Sequence, residues 1–375
     1  MIYLDNAATT KPLKQAIEYA VSFNDDSFYN PSALYQGGIN STARINSAKD
    51  SILKAVGVNA NEYKVIITSC GSESDNLAIF GLIKRGTFLT DSGEHSAVYK
   101  CFLEHSLRGN NVKYIELNSD GSVNTDKLYD YVNNNKVDFV SIVHVNNETG
   151  AINDVNTIAE NIKKINPKII FHSDGVQAFC KVPFRLSKYI DAYSLSAHKI
   201  NGLKGVGALI VKKKLNVNPI IFGGGQEGGV RSGTENLFGI DVLKFVTDYH
   251  VKNISTYYNY VQGLKNHFIN KIDKDLFKII SSENGSPYIL CLSALGLKGE
   301  VMLHMLETEG VIVGNGSACS SRNKYSRTIE ACGYKKDVLE GVIRVSFSNE
   351  NTLEDVEYAV NAINQVAKKL KGIMY

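Results

Sequence analysis

Four short stretches of this sequence carry residue types that can do chemistry, each beside an apolar run. Lys199 follows DAYSLS, stands next to His198 and close to Ser196, and precedes GLKGVGALIV. Most lysines are solvated surface groups. Partial burial at a strand end lowers the proton affinity of the amine and makes it a good Schiff-base nucleophile. Asp174 and Gln177 stand as D-x-x-Q straight after KIIFHS. A carboxylate there can hold a cationic ring nitrogen while the amide donates alongside, although a lone Asp at such a place more often caps a turn. Gly71 and Ser72 lie between YKVII and the helical stretch SDNLAIFGL. A glycine that allows close approach, a hydroxyl and the free N–H groups of a helix start suit a phosphate; an ordinary Ser cap has the same look. Cys319 lies in GNGSACSS, among small polar residues. A thiol in such a loop is a candidate nucleophile, whereas Cys291 in YILCLSA reads as core.

Three further residues gain meaning only beside these. His95, in GEHSAV, opens a helix after FLT and can stack on a ring or simply cap. Asn147, in HVNNETG, follows DFVSIVHV, where Asn-Asn is also plain turn chemistry. Arg344, in VIRVSF, can clamp a carboxylate with two parallel hydrogen bonds if it points inward. Cys101 and His105 share an i, i+4 spacing, but two ligands do not make a metal site, so that pair is expected to pack. Gly223–Gly228 matches G-x-G-x-x-G with Asp248 beyond it. A dinucleotide site needs that loop to open a helix inside a compact βαβ unit, and no second strand follows here.

The elements that must position these groups are read from periodicity. Strand-like runs at 63–69, 87–90, 112–117, 138–145, 168–173, 191–196 and 207–211 alternate with amphipathic segments at 73–82, 97–107 and 158–165. That alternation implies βαβ units and a mostly parallel sheet, with ligands bound beyond the carboxyl ends of its strands. After Gly225 the texture changes to long helical periodicity from Leu237 to about Ile272, then short strands and a closing helix at 353–370. The expected organisation is α/β, with a large domain at 16–250, a smaller α+β domain at 251–375, and residues 1–15 joining the smaller one.

Composition narrows the class. The 375 residues carry 41 Lys plus Arg against 38 Asp plus Glu, a net +3 with no long block of one sign, so neither nucleic acid nor a membrane surface is the expected partner. No apolar run approaches the ~18–20 residues of a membrane helix. MIYLDNAATTKP lacks a basic region followed by an apolar stretch, so no secretory signal is expected, and six cysteines in such a chain suggest reduced thiols in the cytoplasm.

Taken in order, YLDNAATT, SESDNLAI, EHSAV, HVNNETG, HSDGVQ, SLSAHK, GGGQEGGVRSGTEN, GSACSS and IRVSF resemble the NifS/IscS-type cysteine desulfurases of the class V aminotransferase group. The resemblance runs nearly end to end and implies the pyridoxal 5'-phosphate (PLP) fold type I, normally a homodimer. By it, Lys199 carries PLP, with Ser196 and His198 on the phosphate side. Asp174 partners the ring nitrogen, Gln177 the ring hydroxyl, and His95 stacks on the ring and moves protons. Gly71 and Ser72 bind the phosphate, and Thr234 reaches it from the other subunit. Asn147, beside the cofactor, and Arg344 hold the substrate carboxylate, and Cys319 forms a persulfide. Ser72 replaces the usual Thr, and Cys70, Cys180 and Ser348 replace residues that are typically Gly.

The implied reaction turns L-cysteine into L-alanine and passes sulfur through Cys319 to an acceptor protein, such as an iron–sulfur scaffold or a tRNA-thiolation protein. Rival expectations are a selenocysteine lyase or another class V enzyme, and a catalytically silent scaffold with the same fold. No metal ligand set is expected.

Overall fold

The seven strand-like runs between residues 63 and 212 form one large sheet. The computed structural model describes residues 1–23, 28–315 and 325–374. Its strands are β1 (Ile2–Leu4), β2 (Tyr63–Thr68), β3 (Thr87–Asp91), β4 (Asn111–Ile115), β5 (Phe139–Ser141), β6 (Ile170–Asp174), β7 (Ala192–Ser196), β8 (Gly207–Lys212), β9 (Phe277–Ile279), β10 (Ile289–Ala294), β11 (Val311–Val313) and β12 (Val342–Ser346). Strands β2 to β8 correspond to the seven runs expected from the sequence, trimmed by a few residues where the run continues into a turn.

They join in the order β2-β8-β7-β6-β5-β3-β4. Every pair from β7 to β4 is parallel, whereas β8 is antiparallel to both β7 and β2. Only β8 therefore runs backwards, and the carboxyl ends of β2, β3, β5, β6 and β7 share one edge. All five residues of β7 are buried, as expected for a strand covered on both faces.

Helices begin where short polar side chains satisfy their free N–H groups. Asn124 accepts from Lys127 N, Asp154 from Thr157 N and Asn236 from Gly239 N. The last of these starts a 35-residue helix, Leu237–Lys271, which runs unbroken through residue 250. Its Leu237, Ile240, Leu243 and Val246 join the core of the large sheet, and its Val261, Leu264 and Phe268 join a second core. Each such side chain contributes about 1.5–3 kcal/mol relative to exposure, so the helix is held at both ends.

The second core is built on β12-β10-β9 and the helix Leu353–Met374, and it takes in Leu4 and Ala7 from the N-terminus. β1 pairs in parallel with β11, Ile2 opposite Val311. The chain then leaves β1 and crosses to the edge of the large sheet.

Candidate active site

Five of the motifs sit at that shared edge. Gly71 begins the helix Gly71–Leu82 shortly after β2, and His95 caps the helix Ser96–Leu107 shortly after β3. Asn147 follows β5, Asp174 ends β6, Ser196 ends β7, and His198 and Lys199 form the single 3₁₀ turn after it. Strands that all end at one edge of the sheet bring residues from five distant segments to one crevice.

The N-terminal segment closes over this crevice. Lys199 Nζ donates to Ala7 O at 2.8 Å and Ala8 O at 2.7 Å. Thr9 Oγ1 lies 3.1 Å from His198 Nδ1, and Thr10 Oγ1 donates to His198 O at 2.9 Å. Gln177 Nε2 also donates to Ala7 O, at 2.8 Å, while Gln177 Oε1 accepts from Lys181 Nζ at 2.9 Å. Lys181 was not singled out from the sequence. Its only signal there is the i, i+4 spacing from Gln177, which is common among exposed lysines; here the residue is buried.

Burial dominates the electrostatics. It pushes the Asp174 carboxyl up to about 6, against the Val176 N–H that it accepts at 2.8 Å and against the charge of Lys199. Burial, with the positive charges of Lys199, Arg327 and Arg344, pushes His95 down to about 4. His95 is then neutral at neutral pH. Its Nδ1 accepts from Ala97 N at 3.2 Å, which leaves Nε2 as the protonated nitrogen. His198 is likewise pushed down to about 4 by burial and by Lys199.

Beside Gly71 the backbone and side chains form a tight cradle. A Cβ at Gly71 would fall 2.7 Å from Val176 Cγ2 and 3.3 Å from Ser196 Cβ, so only glycine fits. Ser196 Oγ is buried with no hydrogen-bond partner among the described residues. Ser72 is exposed. Thr234 is exposed and lines a cleft with Thr68, Ser69 and Arg231 of its own chain. Arg231 holds Glu73 across this cleft at 2.8 and 3.2 Å, and Glu73 accepts Ser69 N at 2.7 Å.

Arg344 is buried in β12 and reaches the crevice from the second core. One arm of its guanidinium donates to Asn147 O at 2.7 Å and the other to Asp5 Oδ1 at 2.8 Å. Its backbone pairs with Gly314, where a Cβ would lie 2.5 Å from Asp5 Oδ1. The loop motif that contains Cys319 thus starts against the Asp5–Arg344 pair. Cys319 itself lies outside the described residues.

The remaining thiols have other surroundings. Cys70 is half-buried at the start of the helix Gly71–Leu82, and Cys180 is buried in the large core. Cys180 adopts φ 57°, the left-handed region in which glycine is favoured, which accounts for the usual Gly there. Ser348 donates its N–H to Asn351 Oδ1 at 2.8 Å in the turn after β12. Cys101 Sγ donates to Ala97 O, and His105 stacks on Phe88 with ring centroids 3.9 Å apart, so this pair packs.

These groups fit PLP. An orphaned buried hydroxyl, a glycine cradle and free helix N–H groups suit its phosphate. A buried carboxyl whose charge is destabilised gains a counter-charge from a protonated ring nitrogen, and Gln177 retains a second N–H for an oxygen beside it.

Comparison with known proteins points the same way. The class V aminotransferase profile matches residues 2–359. A cysteine desulfurase IscS from Methanosarcina thermophila is 33% identical over 385 aligned residues, covering 99% of this chain and 93% of that protein. A solved NifS-like protein superposes with a TM-score of 0.90 at 30% identity, over 98% of this chain and 99% of its own. SspA, solved in complex with cysteine, gives 0.80 at 27% identity, over 94% of this chain and all of that one. The family profile spans most of the sequence and the superposition covers nearly the whole fold, so the chain belongs to the class V aminotransferases, PLP-dependent enzymes of fold type I.

Proposed function

We propose that this protein is a cysteine desulfurase: with PLP it converts L-cysteine to L-alanine and carries the sulfur away on Cys319. The observation that carries the reading is the meeting of Lys199, Asp174, Gln177 and His95 at one sheet edge, with Arg344 reaching in from the second core. Relatives about one-third identical over nearly the whole chain are cysteine desulfurases, which supports it.

Bound PLP supplies an electron sink for the pair left at Cα when its proton is removed. The chain's own groups do the rest. Lys199 holds the cofactor, then takes the proton from Cα once its amine is released. Asp174 holds the ring nitrogen protonated, and Gln177 donates to the ring hydroxyl. Gly71, Ser72, Ser196 and His198 hold the phosphate. Arg344, with Asn147, grips the substrate carboxylate in the place now taken by Asp5. Neutral His95 stacks on the ring and carries on Nε2 the proton that it can hand on. The thiolate of Cys319 forms an S–S bond as the C–S bond of the substrate breaks, and the three-carbon remainder takes one proton at Cβ and regains one at Cα from Lys199 to leave as alanine. The persulfide then passes its outer sulfur to an acceptor protein, of the kind that builds iron–sulfur clusters or thiolates tRNA.

The active unit is a homodimer in which Thr234 reaches the partner's phosphate site. Thr234 is exposed beside the cleft lined by Thr68, Ser69 and Arg231 of its own chain, which supports this. Residues 1–15 belong with the domain at 251–375, and 16–250 form the PLP-binding domain. No helix among the described residues is long and apolar enough to cross a membrane, which is compatible with a cytoplasmic enzyme.

Turnover of L-cysteine with a thiol reductant, followed as alanine and sulfide, tests the activity. Turnover of selenocysteine alone would indicate a lyase, and no turnover of either a silent scaffold. Borohydride reduction of the PLP-loaded protein followed by peptide mapping should label Lys199, and a label on another lysine overturns that role. For the dimer, mixing Lys199→Ala and Thr234→Ala subunits should restore activity in part. A monomer with full PLP affinity rejects the shared site.

A further inference from the structure

Lys181 is a buried ammonium that the reaction above does not use. It lies in the turns after β6, four residues beyond Gln177, and its Nζ donates to Gln177 Oε1 at 2.9 Å. Tyr288 presents its ring 5.9 Å away. On its other end, Gln177 donates from Nε2 to Ala7 O, the same carbonyl that accepts from Lys199 Nζ. A continuous hydrogen-bonded path therefore links Lys181, Gln177, Ala7 and Lys199.

An amide side chain can face either way, and its neighbours decide which. A lysine ammonium has donors only, so it demands the amide oxygen. A backbone carbonyl is an acceptor only, so it demands the amide nitrogen. Both neighbours of Gln177 impose the same orientation, and the second N–H of Nε2 is left for the cofactor.

We propose that Lys181 is a positioning residue: it locks the Gln177 amide so that Gln177 donates, and never accepts, at the cofactor's ring hydroxyl. This rests on the reading of Gln177 as the partner of that hydroxyl. Keeping a positive charge on a buried amine is costly, and burial, Lys199 and Arg344 push Lys181 down to about 7. The other titratable groups facing it, His198 and His250, are themselves pushed down to about 4 and are neutral at neutral pH. Nothing among them replaces the donor if Lys181 is removed.

The test uses the full-length PLP-loaded protein and reads cofactor affinity and the pH titration of its visible absorption band. Lys181→Met removes the donor and the charge. It should weaken PLP binding by about tenfold, the loss of one hydrogen bond to a charged group. It should also raise the midpoint of the band, because a positive charge near the Lys199 nitrogen is gone and the ring oxygen loses its donor. Lys181→Arg, which keeps a donor-only cation, should restore much of both. In a Gln177→Leu background, Lys181→Met should add little further loss of affinity. Gln177→Glu, with Lys181 intact, replaces the donating amide by an acceptor and should reproduce the raised midpoint even where the Lys181 variant does not fold. An unshifted band in Gln177→Glu, or full additivity of the two losses, overturns the proposal. Failure of the unaltered protein to take up PLP would instead overturn the reading of the site itself.

Discussion

Arg344 and Asp5 form a 2.8 Å ion pair that ties the last strand of the second core to the N-terminal segment, 339 residues away in sequence. On the proposed reading, the Asp5 carboxylate occupies the place of the substrate carboxylate. Substrate binding then exchanges one partner of the guanidinium for another, and affinity depends on how well the fork geometry is kept. Arg344→Lys should raise KM for L-cysteine by about tenfold or more with a smaller change in kcat, as expected for the loss of a bidentate contact. Steady-state kinetics measure this, and an unchanged KM removes Arg344 from the substrate site.

Asp174 should show a trade between stability and cofactor binding. Between pH 3.8 and about 6 the folded protein binds a proton at Asp174 that the unfolded chain has lost. The favourable contribution of this group is thus full below pH 3.8 and is lost as pH rises through 6. Asp174→Asn should stabilise the PLP-free protein at pH 7 by roughly 1–3 kcal/mol, with the gain fading towards pH 4. The same change should weaken PLP binding, because the ring nitrogen loses its counter-charge. Denaturant melts at several pH values, with and without PLP, separate the two effects.

The sulfur chemistry should depend on one thiol. Cys319→Ala leaves Lys199, Asp174 and Arg344 in place, so it should keep PLP and bind L-cysteine, yet release no alanine and carry no persulfide. A free thiol is only a few per cent ionised at neutral pH, so the site must favour deprotonation of Cys319 for it to attack. Cys70→Ala should retain most of the activity. Mass spectrometry after a single turnover locates the sulfur; finding it on Cys70, Cys180 or Cys332 with the Cys319 variant still active overturns this assignment.

Cys180 offers a stability test independent of function. Its φ of 57° costs a side-chain-bearing residue about 1–2 kcal/mol. Cys180→Ala keeps that strain and loses the packed sulfur, whereas Cys180→Gly relieves it. The Gly variant should be more stable than the Ala variant by about 1 kcal/mol. Equal melting midpoints for the two would mean that the backbone relaxes at this position.

The local elements and the residues that end them are legible in the order of the amino acids. Apolar runs such as AYSLS and IFHSD read as strands, with Asp174 at the end of one and Lys199 in the turn just past the other. These properties depend on neighbours a few residues apart, so period and side-chain type suffice to read them. The strand order and the reversal of β8 come from folding as a whole, because they follow from how whole apolar faces pack, with no local signal of their partners. Folding also places the N-terminal segment over Lys199, a hydrogen bond spanning 192 residues. The roles of Ala7, Asp5 and Lys181 were invisible for the same reason: a carbonyl, an exposed-looking Asp and a commonplace Lys gain meaning only from what folding places opposite them. Burial then sets their charge, since removal from water disfavours the ionised form of Asp174 and the protonated form of His95 alike.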